Sequence, residues 1–149
     1  MPVQLIQADA NALAEQSAWR TDLEKIYSEA EPLRRTLQGE ELEASLFIET
    51  ALQEASSWFA AALFNDHLIG AVLVHSLADE WQLRHLCVRE VTRRRGVGSR
   101  LMALVAAKAR EQGLSVCVPN ENLTHADQML VRRLGYSLDE SRGGFILDT

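Results

Sequence analysis

Cysteine is scarce in this sequence of 149 residues, which contains only Cys87 and Cys117. A small secreted protein held together by disulfides would carry several pairs, so that class of protein is excluded. The chain also has no apolar run of membrane-spanning length and no N-terminal basic segment leading into an apolar stretch. We therefore expect a cytoplasmic protein with no membrane partner, whose two thiols are free and buried on neighbouring strands.

Positive charge is in short supply as well. Lysine and arginine together number 15 against 21 acidic residues, which gives a formal net charge of −6. A general nucleic-acid binder needs a basic surface, so nucleic acid is not an expected partner. The basic residues are instead concentrated between residues 84 and 100, and this concentration suits a small phosphorylated ligand better than a duplex.

The chain has few histidines, and no pair of them shows the spacing of metal ligands, so no metal site is predicted. His67 belongs to a hairpin turn, His85 fits a surface or sheet-face position on a strand, and His125 lies beside the start of a short helix. Glu80 fits a solvated turn. The sequence alone therefore assigns no catalytic residue.

The remaining composition, 47% hydrophobic and 24% charged, is that of an ordinary globular protein, and the length fits one domain over residues 1–149. Helices are predicted from an Asp9 cap to Pro32 and over residues 39–54, 96–112 and 124–134. The second helix has four expected buried positions, Leu42, Leu46, Ile48 and Leu52. Strands are predicted at residues 3–6, 58–64, 68–75, 81–88, 115–118, 136–138 and 145–147. The order β–α–α–β–β–β–α–β–α–β–β predicts an α/β fold with a mixed central sheet flanked by helices.

The most informative segment is a basic, glycine-bearing turn between a strand that ends at Val88 and a helix that begins near Gly96. The first N–H groups of a helix lack intrahelical partners and carry partial positive charge, and glycine lets a ligand approach the backbone. The alternative is that Gly96 and Gly98 only shape a tight turn while the arginines keep the surface soluble. Because glycine, cations and a helix start coincide, we favour a seat for a polyanionic phosphate group.

A comparison with known phosphate-binding motifs indicates which kind of phosphate site this turn forms. A P-loop needs a lysine and a hydroxyl residue after its last glycine, whereas Gly98 is followed by Ser99 and Arg100. A dinucleotide fingerprint needs a third glycine. The pattern Arg-x-x-Gly-x-Gly, formed by Arg93, Gly96 and Gly98, resembles the acetyl-CoA site of the GNAT acyltransferase superfamily. The element order and the Leu-Gly-Tyr step that ends at Tyr136 are also similar to that superfamily, and the resemblance implies the GNAT (acyl-CoA N-acyltransferase) fold.

The resemblance implies a ligand, acetyl-CoA or CoA, and a set of residues that bind it. In this superfamily the strand before the turn splays from its neighbour and its backbone pairs with the pantetheine arm, a role that would fall to Leu86, Cys87 and Val88. The pyrophosphate would meet the backbone of the turn and the hydroxyl of Ser99. The residues implied at the turn are Arg93, Arg94, Arg95, Gly96, Val97, Gly98 and Ser99.

The catalytic half of the superfamily pattern is missing. Many members place a glutamate, which serves as a base, where this chain has Gln82, and a tyrosine, which serves as an acid, where it has Val131. Acetyl transfer to an amine needs both a base and an acid near the thioester. Since an amide is a poor base and an aliphatic side chain cannot donate a proton, acetyl transfer is expected to be weak or absent.

A narrower resemblance rests on the run from Arg89 to Gly98, which reads REVTRRRGVG. It is similar to the aspartate decarboxylase maturation and regulatory factors (PanM, also called PanZ), as are residues 22–27 and 143–145. The resemblance implies an acetyl-CoA sensor in pantothenate synthesis that binds aspartate α-decarboxylase in a CoA-dependent way. The alternative is an active N-acetyltransferase that transfers acetyl from acetyl-CoA to an unknown amine with an unconventional base.

Overall fold

The computed structural model describes residues 2–121 and 123–148. Its helices are α1 (Ala10–Glu15), α2 (Ser17–Ser28), α3 (Ala44–Gln53), α4 (Val97–Glu111) and α5 (His125–Arg133). Its strands are β1 (Gln4–Ala8), β2 (Thr36–Leu37), β3 (Glu40–Glu41), β4 (Ser57–Phe64), β5 (His67–Ser76), β6 (Glu80–Val88), β7 (Ser115–Pro119), β8 (Ser137–Asp139) and β9 (Gly144–Leu147). Compared with the predicted order, the structure divides the first helix into α1 and α2 and adds the short β2–β3 hairpin before α3, and all other elements follow in the predicted order.

Seven of the strands form one sheet in the order β1-β4-β5-β6-β7-β9-β8, and β2 and β3 pair separately. Every neighbouring pair in the large sheet is antiparallel except β6 and β7, which run parallel. The predicted mixed sheet is therefore confirmed. The parallel pair lies at the centre of the sheet, where α4 makes the crossover between its two strands.

Turn and cap residues set the ends of several elements as predicted. Asn65 and Asp66 join β4 to β5 with φ angles of 48° and 66°, which is the left-handed geometry that a two-residue hairpin requires. The Asp9 carboxylate accepts a hydrogen bond from the Ala12 N–H at 2.8 Å. The Thr124 hydroxyl accepts one from the Asp127 N–H at 3.1 Å. Both are N-cap contacts that satisfy otherwise unpaired helix amides.

Alternating side chains of the sheet divide the interior into two apolar cores. On one face, α1, α2 and α3 pack around Tyr27, Phe47 and Phe59, whose ring centroids lie between 4.8 and 6.1 Å apart. On the other face, α4 and α5 contribute residues such as Leu101 and Val131. Burial of one such side chain stabilises the fold by roughly 1.5–3 kcal/mol. The sheet is thus held between two helical layers.

The structure corrects the predicted first helix. Two helices, α1 and α2, replace it, because the backbone leaves the helical region at Gln16 with φ −118° and ψ 79°. The second of them ends at Ser28, and Pro32 begins a separate 3-10 turn over Pro32–Arg35. Proline fits the first turn of a helix, where its missing N–H needs no partner.

The predicted second helix begins five residues later than expected, at Ala44. Gln38 and Gly39, with φ angles of 52° and 78°, form the turn between β2 and β3 instead. The buried face of α3 consists of Phe47, Ile48 and Ala51, whereas Leu46 is 50% exposed. The prediction of Leu46 as a core residue was therefore wrong. In the part of the chain that the structure describes, no helix has the length and apolarity needed to cross a bilayer.

Candidate functional site

A gap opens between β6 and β7 near the middle of the sheet. The two strands pair only from Glu80 to Gln82, and β6 then bends away. The bend coincides with a bulge, because the register against β5 shifts and His85 adopts a left-handed backbone with φ 60°. A bulge of this kind strengthens the local twist of a strand and turns it from its neighbour. The splay that the superfamily resemblance implied is therefore present.

Two side chains from outside the sheet, one on α2 and one on the 3-10 turn, donate hydrogen bonds to the backbone of the bulge. The Tyr27 hydroxyl donates to the His85 carbonyl oxygen at 2.7 Å. Arg34 Nη1 donates to the Leu86 carbonyl oxygen, also at 2.7 Å. The same guanidinium donates to both carboxylate oxygens of Asp127 at 3.0 and 3.2 Å, so Arg34 links β6 to the first turn of α5. One of the backbone groups assigned to the pantetheine arm, the Leu86 carbonyl, thus already has an intramolecular partner.

His85 itself has a structural role and is largely buried. Its Nδ1 lies 3.1 Å from the Arg34 carbonyl oxygen, and its ring packs edge-on against Phe47 with centroids 5.0 Å apart. Burial lowers the pKa of His85 to about 4. The ring is therefore neutral near pH 7, and the expectation of a surface or sheet-face position understated its burial.

A cavity of about 410 Å³ occupies the gap, and residues of α3 and of the 3-10 turn contribute to its lining. Its lining includes Gln82 and Leu83, whose side chains project from opposite faces of β6, and Met102 of α4. The cavity therefore passes from one face of the sheet to the other. Leu86 also lines it, but the turn at residues 93–99 does not.

That turn lies at the start of α4 and has an unusual backbone. Arg94 and Gly96 both adopt left-handed conformations, with φ angles of 66° and 78°. Among the described residues, none accepts a hydrogen bond from the backbone N–H groups of Val97, Gly98 or Ser99. A Cβ on Gly96 would meet no atom within 4 Å. The turn thus presents unpaired amides at a helix N-terminus with open space in front of them.

The three arginines of the turn have different surroundings. Arg93 Nη2 donates to the Glu29 carbonyl oxygen at 3.2 Å, so this side chain turns toward the end of α2. The exposed side chains of Arg94 and Arg95 have no hydrogen-bond or ion-pair partner in the described residues. These two arginines remain free to meet a ligand or a partner.

The residues before the turn are anchored to the end of α2. Arg89 donates to the Glu29 carboxylate at 2.8 and 3.1 Å, and the Glu90 N–H donates to the same group at 2.9 Å. The hydrogen bond from Arg89 is the main reason that the pKa of Glu29 lies below its ordinary value. The charged clamp fixes where the chain leaves β6 and so positions the turn.

Cys87 is a core residue. It is 4% exposed, its Sγ lies 3.5 Å from the Ile26 carbonyl oxygen, and burial raises the pKa of its thiol. A buried thiol with a raised pKa is a poor nucleophile. Cys117 is also free and buried, on the neighbouring strand β7, as predicted.

The Gln82 side chain is hydrogen-bonded to charged side chains on both sides of it along β6. Arg84 donates to its amide oxygen at 3.1 Å, and its amide nitrogen donates to Glu80 at 3.3 Å. Glu80 in turn pairs with Arg142 at 2.7 Å, so it is not the solvated turn residue that the sequence suggested. Val131 is buried and lines the cavity. At the position where the superfamily usually has its base, the protein has the hydrogen-bonded amide of Gln82, and at the position of the usual acid it has the apolar side chain of Val131.

Several polar residues of the cavity, among them Arg34, Glu54 and His75, were not predicted from the sequence. His75, near the end of β5, lines the cavity with its Nδ1 3.3 Å from the Ser57 hydroxyl and 3.9 Å from the Glu54 carboxylate. Strand alternation places it on the same face as Leu73, a signal that was present in the sequence but points equally to a surface residue. In the described ranges no cluster of side chains is arranged to hold a metal ion.

Comparisons with known proteins agree with this geometry. The family model described as the acetyltransferase (GNAT) domain PanZ matches residues 8–132. No curated protein sequence matches the chain. Among solved structures, the ribosomal-protein-alanine N-acetyltransferase from Brucella melitensis is 19% identical with a TM-score of 0.64, covering 93% of this chain and 94% of that one. The aminoglycoside 6'-N-acetyltransferase from Enterococcus faecium is 15% identical with a TM-score of 0.63, covering 96% and 92%.

A third solved structure, a GNAT family acetyltransferase from Elizabethkingia anophelis with acetyl-CoA bound, is 16% identical with a TM-score of 0.60 and covers 92% of this chain and 77% of that one. At these identities the likeness establishes a shared fold. The family-model match spans most of the sequence, including the splayed strand and the basic turn. The chain belongs to the PanZ family of GNAT acetyltransferase domains.

Proposed function

We propose that this protein binds acetyl-CoA and, when loaded, binds aspartate α-decarboxylase as a regulator of pantothenate synthesis in the cytoplasm. The observation that carries the proposal is the PanZ family match over residues 8–132. The run from Arg89 to Gly98 resembles the aspartate decarboxylase regulatory factors, and this resemblance implies a regulatory role for the protein. The geometry of the site supports both parts of the proposal, which are the binding of acetyl-CoA and the regulation of a partner protein.

The ligand half rests on the turn that begins α4. Its unpaired amides at Val97, Gly98 and Ser99 and the left-handed Gly96 present an exposed, electropositive backbone to pyrophosphate oxygens. Arg94 and Arg95 add charge that no residue of the described chain neutralises. The pantetheine arm would run along the edge of β6 at residues 86–88, where pairing with β7 has ended.

The regulatory part of the proposal rests on the residues at the two positions where the superfamily usually has its base and its acid. Gln82 is engaged by Arg84 and Glu80, and Val131 has no titratable group. A site that holds acetyl-CoA without the usual base and acid is suited to report its concentration. If a partner prefers the loaded form, linkage makes that association depend on acetyl-CoA. Arg94 and Arg95 beside the ligand would face an acidic patch on such a partner.

The experiment is a co-purification with aspartate α-decarboxylase from the same organism. The tagged protein should retain the decarboxylase in the presence of acetyl-CoA and release it when the ligand is washed out. ATP serves as the control, since it shares the adenine nucleotide part of the ligand but lacks pantetheine. Retention that is equal with acetyl-CoA, ATP and buffer, or no retention in any of them, would contradict the regulatory role.

A further inference from the structure

The lining of the cavity in the gap includes two arginines, and only one of them is neutralised. Arg34 donates two hydrogen bonds to the Asp127 carboxylate. Arg84, two residues after Gln82 on the same face of β6, is half-buried and lines the same cavity. Its Nη1 donates to the Gln82 amide oxygen at 3.1 Å, and no acidic side chain of the described residues lies within ion-pair distance of it. The cavity therefore contains a cation without a counter-ion.

The carboxylates that line the cavity leave the charge of Arg84 in place. Asp127 is engaged by Arg34. The Glu54 side chain is 70% exposed and lies beyond ion-pair distance from Arg84, and Glu121 is exposed as well. Water and salt screen such exposed charges. A half-buried guanidinium has lost part of its hydration, so a ligand that brings a carboxylate into the cavity would give Arg84 the partner that the described chain does not supply.

Arg84 lies beyond the end of the proposed pantetheine path. The proposed pyrophosphate site follows the end of β6, so the arm would run from Val88 back to Leu86, which also lines the cavity. The acyl group at the end of the arm would then enter the cavity. Arg84 is two residues further along β6, which is roughly 7 Å in a regular strand.

The size of the cavity admits more than an acetyl group. Its volume of about 410 Å³ falls in the range of pockets that enclose drug-sized ligands, whereas an acetyl group has only two carbon atoms. The space next to the proposed acetyl position is lined by the amide of Gln82 and the guanidinium of Arg84. It therefore suits a longer acyl chain with a negatively charged end.

We propose that this protein binds acyl-CoA molecules whose short acyl chain ends in a carboxylate, and that Arg84 recognises this carboxylate. The inference rests on the proposed binding of acetyl-CoA and extends it to a second class of ligand. A planar guanidinium matches a carboxylate through two parallel charge-assisted hydrogen bonds, and the hydrogen bond to Gln82 orients the guanidinium. An acidic acyl-CoA competes with acetyl-CoA for the same turn, so the state of the regulator depends on the concentrations of both ligands.

The test measures by calorimetry the affinities of CoA, acetyl-CoA and two matched pairs of acyl-CoA molecules. Malonyl-CoA is paired with isovaleryl-CoA, and succinyl-CoA is paired with isocaproyl-CoA. In each pair an isopropyl group of nearly the same shape replaces the carboxylate. At least one acidic member should bind roughly 10-fold or more tightly than its neutral partner. Equal or weaker binding of both acidic members would overturn the proposal.

Variants assign the preference to a residue. Arg84→Met removes the charge and keeps much of the aliphatic stem, so the ratio of affinities within each pair should fall to about one. Arg84→Lys keeps the charge without the planar fork and should retain part of the preference. Arg110→Met is the matched control, because Arg110 is an exposed arginine in the last turn of α4, and its preference should equal that of wild type. A full preference in Arg84→Met would show that Arg84 does not recognise the carboxylate.

The same titrations separate this proposal from its foundation. If CoA and acetyl-CoA bind but neither acidic ligand is preferred, only the role of Arg84 is overturned and the regulatory proposal stands. Binding of the acidic ligands alone would support the role of Arg84 and contradict a response to acetyl-CoA. If none of the CoA compounds binds, both proposals are overturned.

Discussion

Tyr136 stands where the superfamily usually has phenylalanine, and its hydroxyl is buried without a hydrogen-bond partner in the part of the chain that the structure describes. A buried hydroxyl that has lost its water partners costs about 1–3 kcal/mol. Tyr136→Phe removes the hydroxyl and keeps the ring in its apolar surroundings. We expect the free energy of unfolding to rise by about 1 kcal/mol in urea denaturation. A loss of stability would show that the hydroxyl has a partner.

His85 makes stability depend on pH. Burial depresses its pKa in the folded protein from an ordinary 6.5 to about 4. Between these values the unfolded chain is protonated while the folded one stays neutral, so stability is full above about pH 6.5 and declines as the pH falls toward 4. The decline should be on the order of 3 kcal/mol.

The matched variant for this prediction is His85→Asn. Asparagine tolerates the left-handed backbone of the bulge, where φ is 60°, and it does not titrate in this range. Urea titrations at several pH values between 4 and 7 should show a smaller loss of stability in the variant. Parallel curves for the two proteins would mean that His85 is not the cause.

At the scale of elements, the bulge of β6 depends on Arg34, which joins Leu86 to Asp127 through three hydrogen bonds. Both charged side chains are largely buried, with 21% and 15% exposure. Arg34→Ala should lower the free energy of unfolding by about 1.5–3 kcal/mol, because the buried carboxylate and carbonyl lose their donor. Arg20→Ala removes a half-buried arginine whose hydrogen bonds to Ser45 are exposed, and it should cost less than about 0.5 kcal/mol. Equal effects would contradict a structural role for the Arg34 link.

The sequence predicted elements best where one residue type dictates the backbone. Asn65 and Asp66 indicated the β4–β5 hairpin, and Gly96 and Gly113 marked the ends of α4. It failed where tertiary contacts decide. Nothing local marks the break at Gln16, and Gln38 tolerates a positive φ that few residues adopt.

In the site, too, the features set by neighbouring residues in the sequence could be predicted, whereas those set by tertiary contacts could not. The turn at 93–99 could be placed from the sequence because its glycines and arginines are contiguous. Glu54 follows α3 and Ser57 begins β4, whereas His75 lies on β5, and only the register of β4 against β5 brings His75 beside Ser57. Arg34 was equally hidden, because its partners Leu86 and Asp127 lie more than 50 residues away along the chain.

At the scale of the whole molecule, a net charge of −6 makes the basic turn an isolated positive region. Exchange of Arg94 and Arg95 for glutamine should weaken acetyl-CoA binding more at low salt than at high salt, since exposed charges are screened. Calorimetry in about 0.02 M and about 0.15 M salt measures the difference. Complete loss of binding at the higher salt would show that side-chain charge, and not the backbone amides, dominates recognition.

The central claim is that acetyl-CoA binds at the start of α4, and Gly96→Val tests it most directly. Gly113, at the other end of the same helix, is the matched control, because both glycines are left-handed, with φ angles of 78° and 72°, and a Cβ on either would meet no atom within 4 Å. Valine should therefore strain both sites similarly. Calorimetric titration of acetyl-CoA should show at least about a 10-fold loss of affinity, roughly 1.4 kcal/mol, in Gly96→Val and wild-type affinity in Gly113→Val. Unchanged affinity in folded Gly96→Val would contradict the placement of the ligand.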